Sequence, residues 1–232
     1  MKKAIIWGLV FTFCVGLAVV AAAEEIVVGG VMPLTGRGAL AGAHFAPGFR
    51  DGLLMANEAG GVNGKMIKYV EADGTYTVNV AVAAFKRMMA QNKPLAIYGE
   101  STGLSKAIAP EINSRYKVLY TSTSMSTELA DPATNPYMFV SGPTYQEQFG
   151  IILKYIAKEK PGARVAFCYS DTAFGRDPIP FGRELCKKLG LKVVAEEIAA
   201  MGAVDVTSQI LDMKRKKVEY CVLQGYVVTP VD

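Results

Sequence analysis

The sequence is 232 residues long, 51% hydrophobic and 20% charged, a balance typical of a globular protein with one large domain or two modest ones. Its formal charge of +4 falls to +2 without Lys2 and Lys3, a bias too weak to predict a nucleic-acid or anionic membrane partner. His44 is the only histidine, which argues against a His-based catalytic triad and against a multi-histidine metal site. We therefore expect no metal and no cofactor.

The N-terminus, MKKAIIWGLVFTFCVGLAVVAAAEE, has a basic start, an uncharged apolar run and small residues at its end. Ala21 and Ala23 fit the A-x-A cleavage pattern, which predicts a signal peptide over residues 1–23 and Glu24 as the first mature residue. The alternative is a retained membrane anchor, because residues 4–23 are just long enough to span a bilayer. We favour cleavage and export to the periplasm, because no basic residues follow to stop transfer.

Three cysteines remain after cleavage, namely Cys168, Cys186 and Cys221. An odd number leaves at least one free thiol, and no C-x-x-C pair indicates a redox or zinc site. Cys168 and Cys221 lie in apolar, strand-like segments that we expect to be neighbours in a parallel sheet. The sequence therefore predicts buried, reduced thiols at both positions.

Strand-like and helix-like segments alternate along the mature chain. This pattern predicts parallel sheets covered by helices on both faces. The predicted strands cover residues 25–31, 65–73, 95–99, 117–122, 163–171, 191–198 and 218–225. The predicted helices cover residues 43–59, 78–92, 105–114, 146–158, 181–189 and 206–216.

The two series of segments meet near residues 141–143, which predicts one α/β unit over 24–142 and a second over 143–232. Thr144 and Glu147 have the spacing of a capping box at the start of the next helix. The second unit looks unfinished, because no helix or further strand follows residues 218–225. From this pattern we expect the second unit to be truncated.

The segment GGVMPLTGRGALAG resembles a loop that binds a dinucleotide pyrophosphate, since Gly36, Gly38 and Gly42 follow an apolar strand. In a dinucleotide-binding loop the glycines stand at the strand end, and an acidic residue follows about 20 residues later. Here Pro33 interrupts before the glycines, and the acid Asp73 lies too far along the chain. The spacing therefore argues against a nucleotide site.

Six short motifs in this chain, in order, resemble the branched-chain amino-acid (Leu/Ile/Val) binding proteins, the type I periplasmic receptors of ABC importers. The likeness covers essentially the whole mature chain. The motifs are VMPLTG after the first strand, NEAGGVNGK (57–65), IYGESTG (97–103), YTSTSMSTEL (120–129), DTAFGR (171–176) and QGY (224–226).

The resemblance implies a type I periplasmic-binding-protein fold with two Rossmann-like lobes, of which 24–142 would be the first and 143–232 an incomplete second. It implies a protein without enzymatic activity that delivers a small amino acid or a related carboxylate to the membrane permease of an ABC importer. An aromatic or short carboxylate, or an amide, is also allowed as ligand. No nucleic-acid partner is expected.

The resemblance also points to ligand contacts on the first lobe. Hydroxyls and backbone groups there would hold the polar end of the ligand, and the residues are Ser101, Thr102, Gly103, Thr123, Ser124 and Met125. The alternative for the first three is a helix N-cap and turn. For the other three it is a polar loop.

Two aromatic residues of the second lobe, Phe174 and Tyr226, would close over the ligand. The alternative for Phe174 is packing in the core. Met125 departs from the family pattern, because the best-known members have a small hydroxyl residue there that helps to hold the α-amino group. Specificity for an amino acid therefore stays open.

Two other functions remain possible from the sequence. A sensory receptor domain can have the same fold, and a transmembrane or signalling segment after the second lobe would identify it. An exported α/β enzyme would need a nucleophile beside a base, and the sequence has neither a G-x-S-x-G motif nor a suitably placed histidine.

Overall fold

The computed structural model describes residues 25–226. The predicted signal peptide over 1–23, its cleavage before Glu24, and the segment 227–232 lie outside these residues. Among the helices of the described part, none is long and apolar enough to cross a membrane.

The first half of the described chain forms a parallel four-stranded sheet in the order β2-β1-β3-β4. Helices connect successive strands, as parallel pairing requires. The strands are β1 (Ile26–Met32), β2 (Ile67–Asp73), β3 (Ala96–Gly99) and β4 (Leu119–Ser122), and the connecting helices are α1 (Ala39–Glu58), α2 (Val78–Gln91) and α3 (Thr102–Glu111).

The second half forms a parallel three-stranded sheet in the order β6-β5-β7. Its elements are α4 (Tyr145–Glu159), β5 (Arg164–Tyr169), the single-turn helix α5 (Ala173–Arg176), α6 (Ile179–Leu189), β6 (Lys192–Ile198), α7 (Thr207–Arg215) and β7 (Tyr220–Gln224). The two sheets lie on either side of residues 141–143 in the chain, and the domain boundary there stays a prediction.

Each sheet has its own apolar core. In the first, Phe85 of α2 and Tyr120 of β4 are fully buried. In the second, Phe149 of α4 stacks at a tilt on Phe167 of β5, with ring centroids 5.7 Å apart. These aromatic and aliphatic side chains remove a large apolar area from water, which is the main stabilising contribution to folding.

The predicted capping box begins α4. The Thr144 Oγ1 accepts from the backbone N–H of Glu147, and the Glu147 carboxylate accepts from the backbone N–H of Thr144. Two backbone donors that a helix start would otherwise leave unpaired are thereby satisfied. This local prediction is confirmed.

The predicted helices differ from the observed ones mainly at their ends. Helix α1 begins at Ala39, directly after a 3-10 turn over Gly36–Gly38, instead of at residue 43. Helix α3 begins at Thr102 and continues into a π-helical turn over Ile112–Tyr116. The extra turn α5 was absent from the sequence prediction, because four residues carry no helical periodicity.

The prediction for the thiols is half right. Strands β5 and β7 are neighbours and Cys168 is buried, as predicted. Cys221 is exposed, so its predicted burial is wrong. The reason is that β7 is an outer strand of the described sheet, and the face carrying Cys221 and Leu223 is not covered there, with Leu223 45% exposed.

Candidate ligand-binding site

A cavity of about 360 Å³ lies between the two sheets, at the carboxyl ends of their strands. In both sheets the first strand has neighbours on its two sides, β2 and β3 for β1, and β6 and β7 for β5. Such a reversal of strand order opens a crevice where α/β proteins bind ligands. The cavity is lined by Pro33, Ala41, Phe45, Tyr76, Glu100, Thr123, Met125, Tyr145, Gln148, Phe174, Gly225 and Tyr226.

The glycine-rich loop after β1 packs against this cavity's wall. A Cβ at Gly38 would lie 2.8 Å from the Cβ of Tyr76, and a Cβ at Gly42 would lie 2.1 Å from the carbonyl oxygen of Pro33. Both contacts are too short for any larger residue. Gly38 in the 3-10 turn and Gly42 in the first turns of α1 therefore allow this segment to pack tightly onto Tyr76 and Pro33, which line the cavity. This packing accounts for the two glycines without a phosphate.

Asp73, at the end of β2, fixes the same loop. Its carboxylate accepts from the backbone N–H groups of Leu34 at 3.0 Å and Thr75 at 2.9 Å, and from the hydroxyl of Thr35. Burial alone would raise the pKa of Asp73, but the hydrogen bonds from Thr35, Thr75 and Leu34 outweigh it and lower that pKa. Asp73 is thus an ionised anchor for the loops after β1 and β2.

Of the predicted first-lobe contacts, Thr123 and Met125 line the cavity. The Thr123 hydroxyl donates to the carbonyl oxygen of Glu100 at 2.6 Å, which ties the loop after β4 to the loop after β3. The Met125 carbonyl accepts from the backbone N–H of Tyr145 at 2.8 Å. The structure therefore brings these two predicted residues to the ligand cavity.

The structure places Ser101, Thr102 and Ser124 behind the cavity wall. The Ser101 Oγ accepts from the backbone N–H of Leu104 at 3.2 Å, which makes it the N-cap of α3. The Ser124 Oγ donates to the Thr102 Oγ1 at 2.9 Å, and both side chains are buried. Their hydroxyls are used within the protein, so the geometry favours a supporting role over ligand contact.

Gly103 is the remaining predicted contact of this lobe, and it too lies off the cavity wall. A Cβ there would lie 2.8 Å from Val78 of α2 and 3.9 Å from Ala173 of the second half. The small residue allows close packing between α2 and α3. The absence of a side chain at Gly103 is thus explained by packing within the protein.

The predicted aromatic pair from the second half lines the cavity, as part of a larger group of rings. Phe174 contacts Tyr226 with centroids 4.9 Å apart and Tyr145 with centroids 5.3 Å apart. Tyr226 meets Tyr76 edge to face at 5.4 Å, and their hydroxyls hydrogen-bond across the cleft. These four rings, which we name the aromatic cover, join the first half of the chain to the second.

Glu100 is a functional candidate that the sequence analysis did not select. It directly follows β3, lines the cavity and is 1% exposed. Burial raises the pKa of its carboxyl group from 4.5 to about 7, against the opposing hydrogen bond from the backbone N–H of Tyr76. Its position in the sequence could have identified it, because Glu100 is a charged residue directly after a short apolar strand.

The sequence analysis also missed Phe45, Tyr76, Tyr145 and Gln148. Tyr145 is the first residue of α4, one residue before the predicted helix over 146–158, and Tyr76 lies in the turn between β2 and α2. Gln148 donates its side-chain amide to the carbonyl oxygen of Pro143 at 2.6 Å. Each of these residues reaches the cavity through packing between elements, for which a single sequence gives no direct signal.

A second polar contact joins the two halves of the described chain. The Asp177 carboxylate, from the loop between α5 and α6, pairs with the Lys106 Nζ of α3 at 2.8 Å and accepts from the Ser126 hydroxyl at 2.6 Å. Lys106 also pairs with Glu128 at 2.9 Å. This buried carboxylate holds the second half against the first.

Comparison with known proteins finds a matching family model and several similar proteins. A family model described as periplasmic binding protein matches residues 25–230. An amino acid binding protein of Pseudomonas aeruginosa is 26% identical over 206 residues, covering 88% of this chain and 54% of the relative. A Leu/Ile/Val-binding protein homolog of Brucella suis is 22% identical, covering 90% of this chain and 54% of the relative.

Among solved structures, a branched-chain amino acid ABC transporter from Thermus thermophilus with bound valine matches with a TM-score of 0.82 and 29% identity, over 89% of this chain and 54% of that one. A fatty acid ABC transporter substrate-binding protein from Thermomonospora curvata matches with a TM-score of 0.76 and 22% identity, over 87% of this chain and 51% of that one. The second shows likeness of fold alone. The chain spans about half the length of the relatives it matches.

Proposed function

The chain belongs to the periplasmic binding protein family, and from this premise we propose that it is an extracytoplasmic solute-binding protein that delivers a small amino acid or related carboxylate to an ABC importer. The amino acid binding protein of Pseudomonas aeruginosa and the valine-bound Thermus structure support this ligand class. The partner would be a membrane permease, and the working compartment the periplasm. The solute is released unchanged, so the protein is not an enzyme.

The observation that carries the proposal is the position of the cavity. Its wall comes from strand ends of both sheets, with Glu100 and Thr123 from the first and Phe174 and Tyr226 from the second. A solute that touches both sheets stabilises the arrangement in which the sheets approach each other. A binding protein needs this coupling, because closure signals that the site is occupied.

The proposed roles follow from these positions. Thr123 and Met125 contact the solute from the first lobe (residues 24–142), and the aromatic cover closes over it from both lobes. Behind the wall, Ser101, Thr102, Gly103 and Ser124 keep the loops after β3 and β4 in place through their hydrogen bonds and close packing. The second lobe would begin at residue 143.

The proposal is tested with a thermal-shift screen of amino acids and small carboxylic acids, followed by calorimetry on the solutes that stabilise the protein. Phe174→Ala and Tyr226→Ala should each weaken binding about tenfold or more, mainly through faster release, because the cover is lost while the first-lobe contacts persist. Phe139→Ala, which removes an exposed ring away from the cavity, is the matched control and should bind as wild type does.

Mass spectrometry of the recovered solute separates binding from catalysis. An unchanged solute after long incubation is expected. Conversion of the solute by the wild-type protein would instead favour an enzyme. Equal affinity in Phe174→Ala, Tyr226→Ala and wild type would place the site outside this cavity.

A further inference from the structure

The cavity between the sheets contains one buried acid and no base among the described residues that line it. Glu100 is that acid, and the other lining side chains are aromatic, aliphatic or neutral and polar. A carboxylate in such a position lacks the water that would stabilise its charge. A solute in the same cavity can supply the missing interaction and offset this desolvation cost.

The two carboxylate oxygens of Glu100 have different surroundings. Oε2 accepts from the backbone N–H of Tyr76 at 3.3 Å, whereas Oε1 is buried and has no hydrogen-bond partner in the described part of the chain. A Cβ at Gly74 would lie 2.4 Å from Oε2, so the glycine makes room for the carboxylate against the backbone. The protein thus builds a close-fitting place for the carboxylate and leaves one of its buried oxygens without a hydrogen bond.

The groups that face Glu100 add no positive charge to the cavity. Asp73 at the end of β2 is a second negative charge near it, and Tyr120 of β4 is buried with its pKa raised by burial. Burial raises the pKa of Tyr76 to about 12, so its phenol stays neutral. Arg37, whose charge acts on that phenol, is exposed and does not line the cavity.

The aromatic cover provides the second half of a cation site. Aromatic faces attract cations, most strongly where water is excluded. Tyr76, Tyr145, Phe174 and Tyr226 share the cavity with Glu100. A positively charged nitrogen in the cavity, beside Glu100 and these rings, would compensate the buried carboxylate and gain the attraction of the aromatic rings.

Resting on the proposed solute-binding function, we infer that Glu100 determines specificity, and that it selects solutes carrying a positively charged nitrogen, such as an amino acid or an amine. A solute that carries a carboxylate and no such nitrogen would place two negative charges together in the cavity. Like charges in a site of low polarity repel strongly. Such solutes are therefore excluded when Glu100 is ionised.

The protonation state of Glu100 predicts how the affinity for each class of solute should change with pH. Its pKa of about 7 means that the group is ionised at pH 8 and protonated at pH 5.5. A cationic nitrogen binds the ionised form, so affinity should be highest at pH 8 and fall by up to tenfold per pH unit below about pH 7. A carboxylate without nitrogen would bind the protonated form and show the opposite trend.

Three probes of one shape test the inference by calorimetry, namely L-phenylalanine, phenethylamine without the carboxylate, and 3-phenylpropanoate without the amine. L-valine, isobutylamine and 3-methylbutanoate form a second, aliphatic set. At pH 8, the amine-bearing members should bind at least tenfold more tightly than the member that lacks the amine. Their affinities should fall between pH 8 and pH 5.5.

Glu100→Gln keeps the shape of the side chain and removes its charge. It should weaken binding of the amine-bearing probes roughly tenfold to a hundredfold at pH 8 and make their affinity independent of pH. Gly74→Ala keeps the charge but displaces the carboxylate, so it should weaken binding and retain the pH dependence. Glu184→Gln makes the same chemical change at an exposed residue of α6 and should leave affinity within twofold of wild type.

The outcomes distinguish this inference from the function on which it rests. If 3-phenylpropanoate or 3-methylbutanoate binds as tightly as its amine-bearing partners at pH 8, or binds more tightly as pH falls, the role of Glu100 is overturned while solute binding stands. If Glu100→Gln binds the amines as wild type does, the role is also overturned. If no solute of a broad small-molecule screen binds, the proposed function fails and the inference fails with it.

Discussion

The two sheets of this protein build their shared cavity in different ways. In the first, hydroxyls form a buried network, in which the Ser105 Oγ lies 2.9 Å from both the Tyr120 hydroxyl and the Ser122 Oγ. In the second, the core under the cavity is aromatic and aliphatic, with Phe149 and Phe167 in contact. The first therefore offers fixed polar groups, and the second offers apolar surfaces.

This difference suggests a division of roles. Buried, fully hydrogen-bonded networks hold their members in one arrangement, because leaving any member unpaired is costly. Apolar surfaces tolerate small displacements, because their attraction is not directional. We expect the first sheet to be the fixed half that recognises the solute and the second to be the half that moves over it.

The largest expected effect is on the core of the first sheet. Phe85→Ala removes a fully buried ring and should lower the free energy of unfolding of this half by about 3–5 kcal/mol. Hydrogen exchange at the Ile97 amide should report the loss, and exchange at the Phe167 amide of β5 should change much less. Leu95→Ala, at an exposed position of the same half, is the control. Equal losses at both amides would show that the two halves unfold as one unit.

The next effect is on stability and comes from the buried carboxyl group of Glu100, which follows a strand of the first sheet. Because the folded-state pKa of Glu100, about 7, lies above its ordinary value of 4.5, the ionised group destabilises the folded protein at high pH and costs nothing below about pH 4.5. Glu100→Gln should therefore raise the free energy of unfolding by roughly 3 kcal/mol at pH 8 relative to wild type, and this stabilisation should vanish near pH 4.5. Urea titrations at both pH values check this, and a gain independent of pH would contradict it.

A smaller effect is expected at the contact between the halves. Asp177 and Asp171 both form ion pairs, but the Asp177 side chain is 5% exposed and bridges to Lys106, whereas the Asp171 side chain is 60% exposed and pairs locally with Arg176. Asp177→Ala should lower the free energy of unfolding by about 2 kcal/mol, because it leaves the buried Ser126 hydroxyl without its charged acceptor and removes one of the two ion pairs of Lys106. Asp171→Ala should change it by less than about 0.5 kcal/mol. Similar losses of stability at the two positions would show that Asp177 does not stabilise the contact between the halves.

The smallest effect concerns the thiols of the second sheet. The hydrogen bond between Cys168 and Cys221 raises the pKa of Cys168 and lowers that of Cys221, and Cys221 is the exposed member. Peptide mapping after brief labelling of the native protein should find Cys221 modified well before Cys168 and Cys186. Cys221→Ser should change stability by less than about 0.5 kcal/mol. Equal labelling of the three cysteines would mean that β7 does not stay paired with β5 in the native protein.

Several features were predictable from the sequence because their causes are local. The alternation of strands and helices follows from hydrophobic spacing, and both sheets have the predicted parallel pairing. The capping box of Thr144 and Glu147 depends on groups only three residues apart. Phe174 and Tyr226 were predicted from the resemblance of the short motifs DTAFGR and QGY to a known family, and both line the cavity.

The rest was decided by tertiary packing. Glu100 and Ser101 are adjacent in the sequence, yet the first lines the cavity and the second caps α3, because a residue after a strand end can point either to the crevice or to the helix start. Cys168 and Cys221 lie in similar apolar segments, yet only Cys168 is buried, since one strand is central and the other is outer in the described sheet. Sequence periodicity records which face of an element is apolar, but burial and pKa depend on which other elements cover that face, and those contacts join residues far apart in the chain.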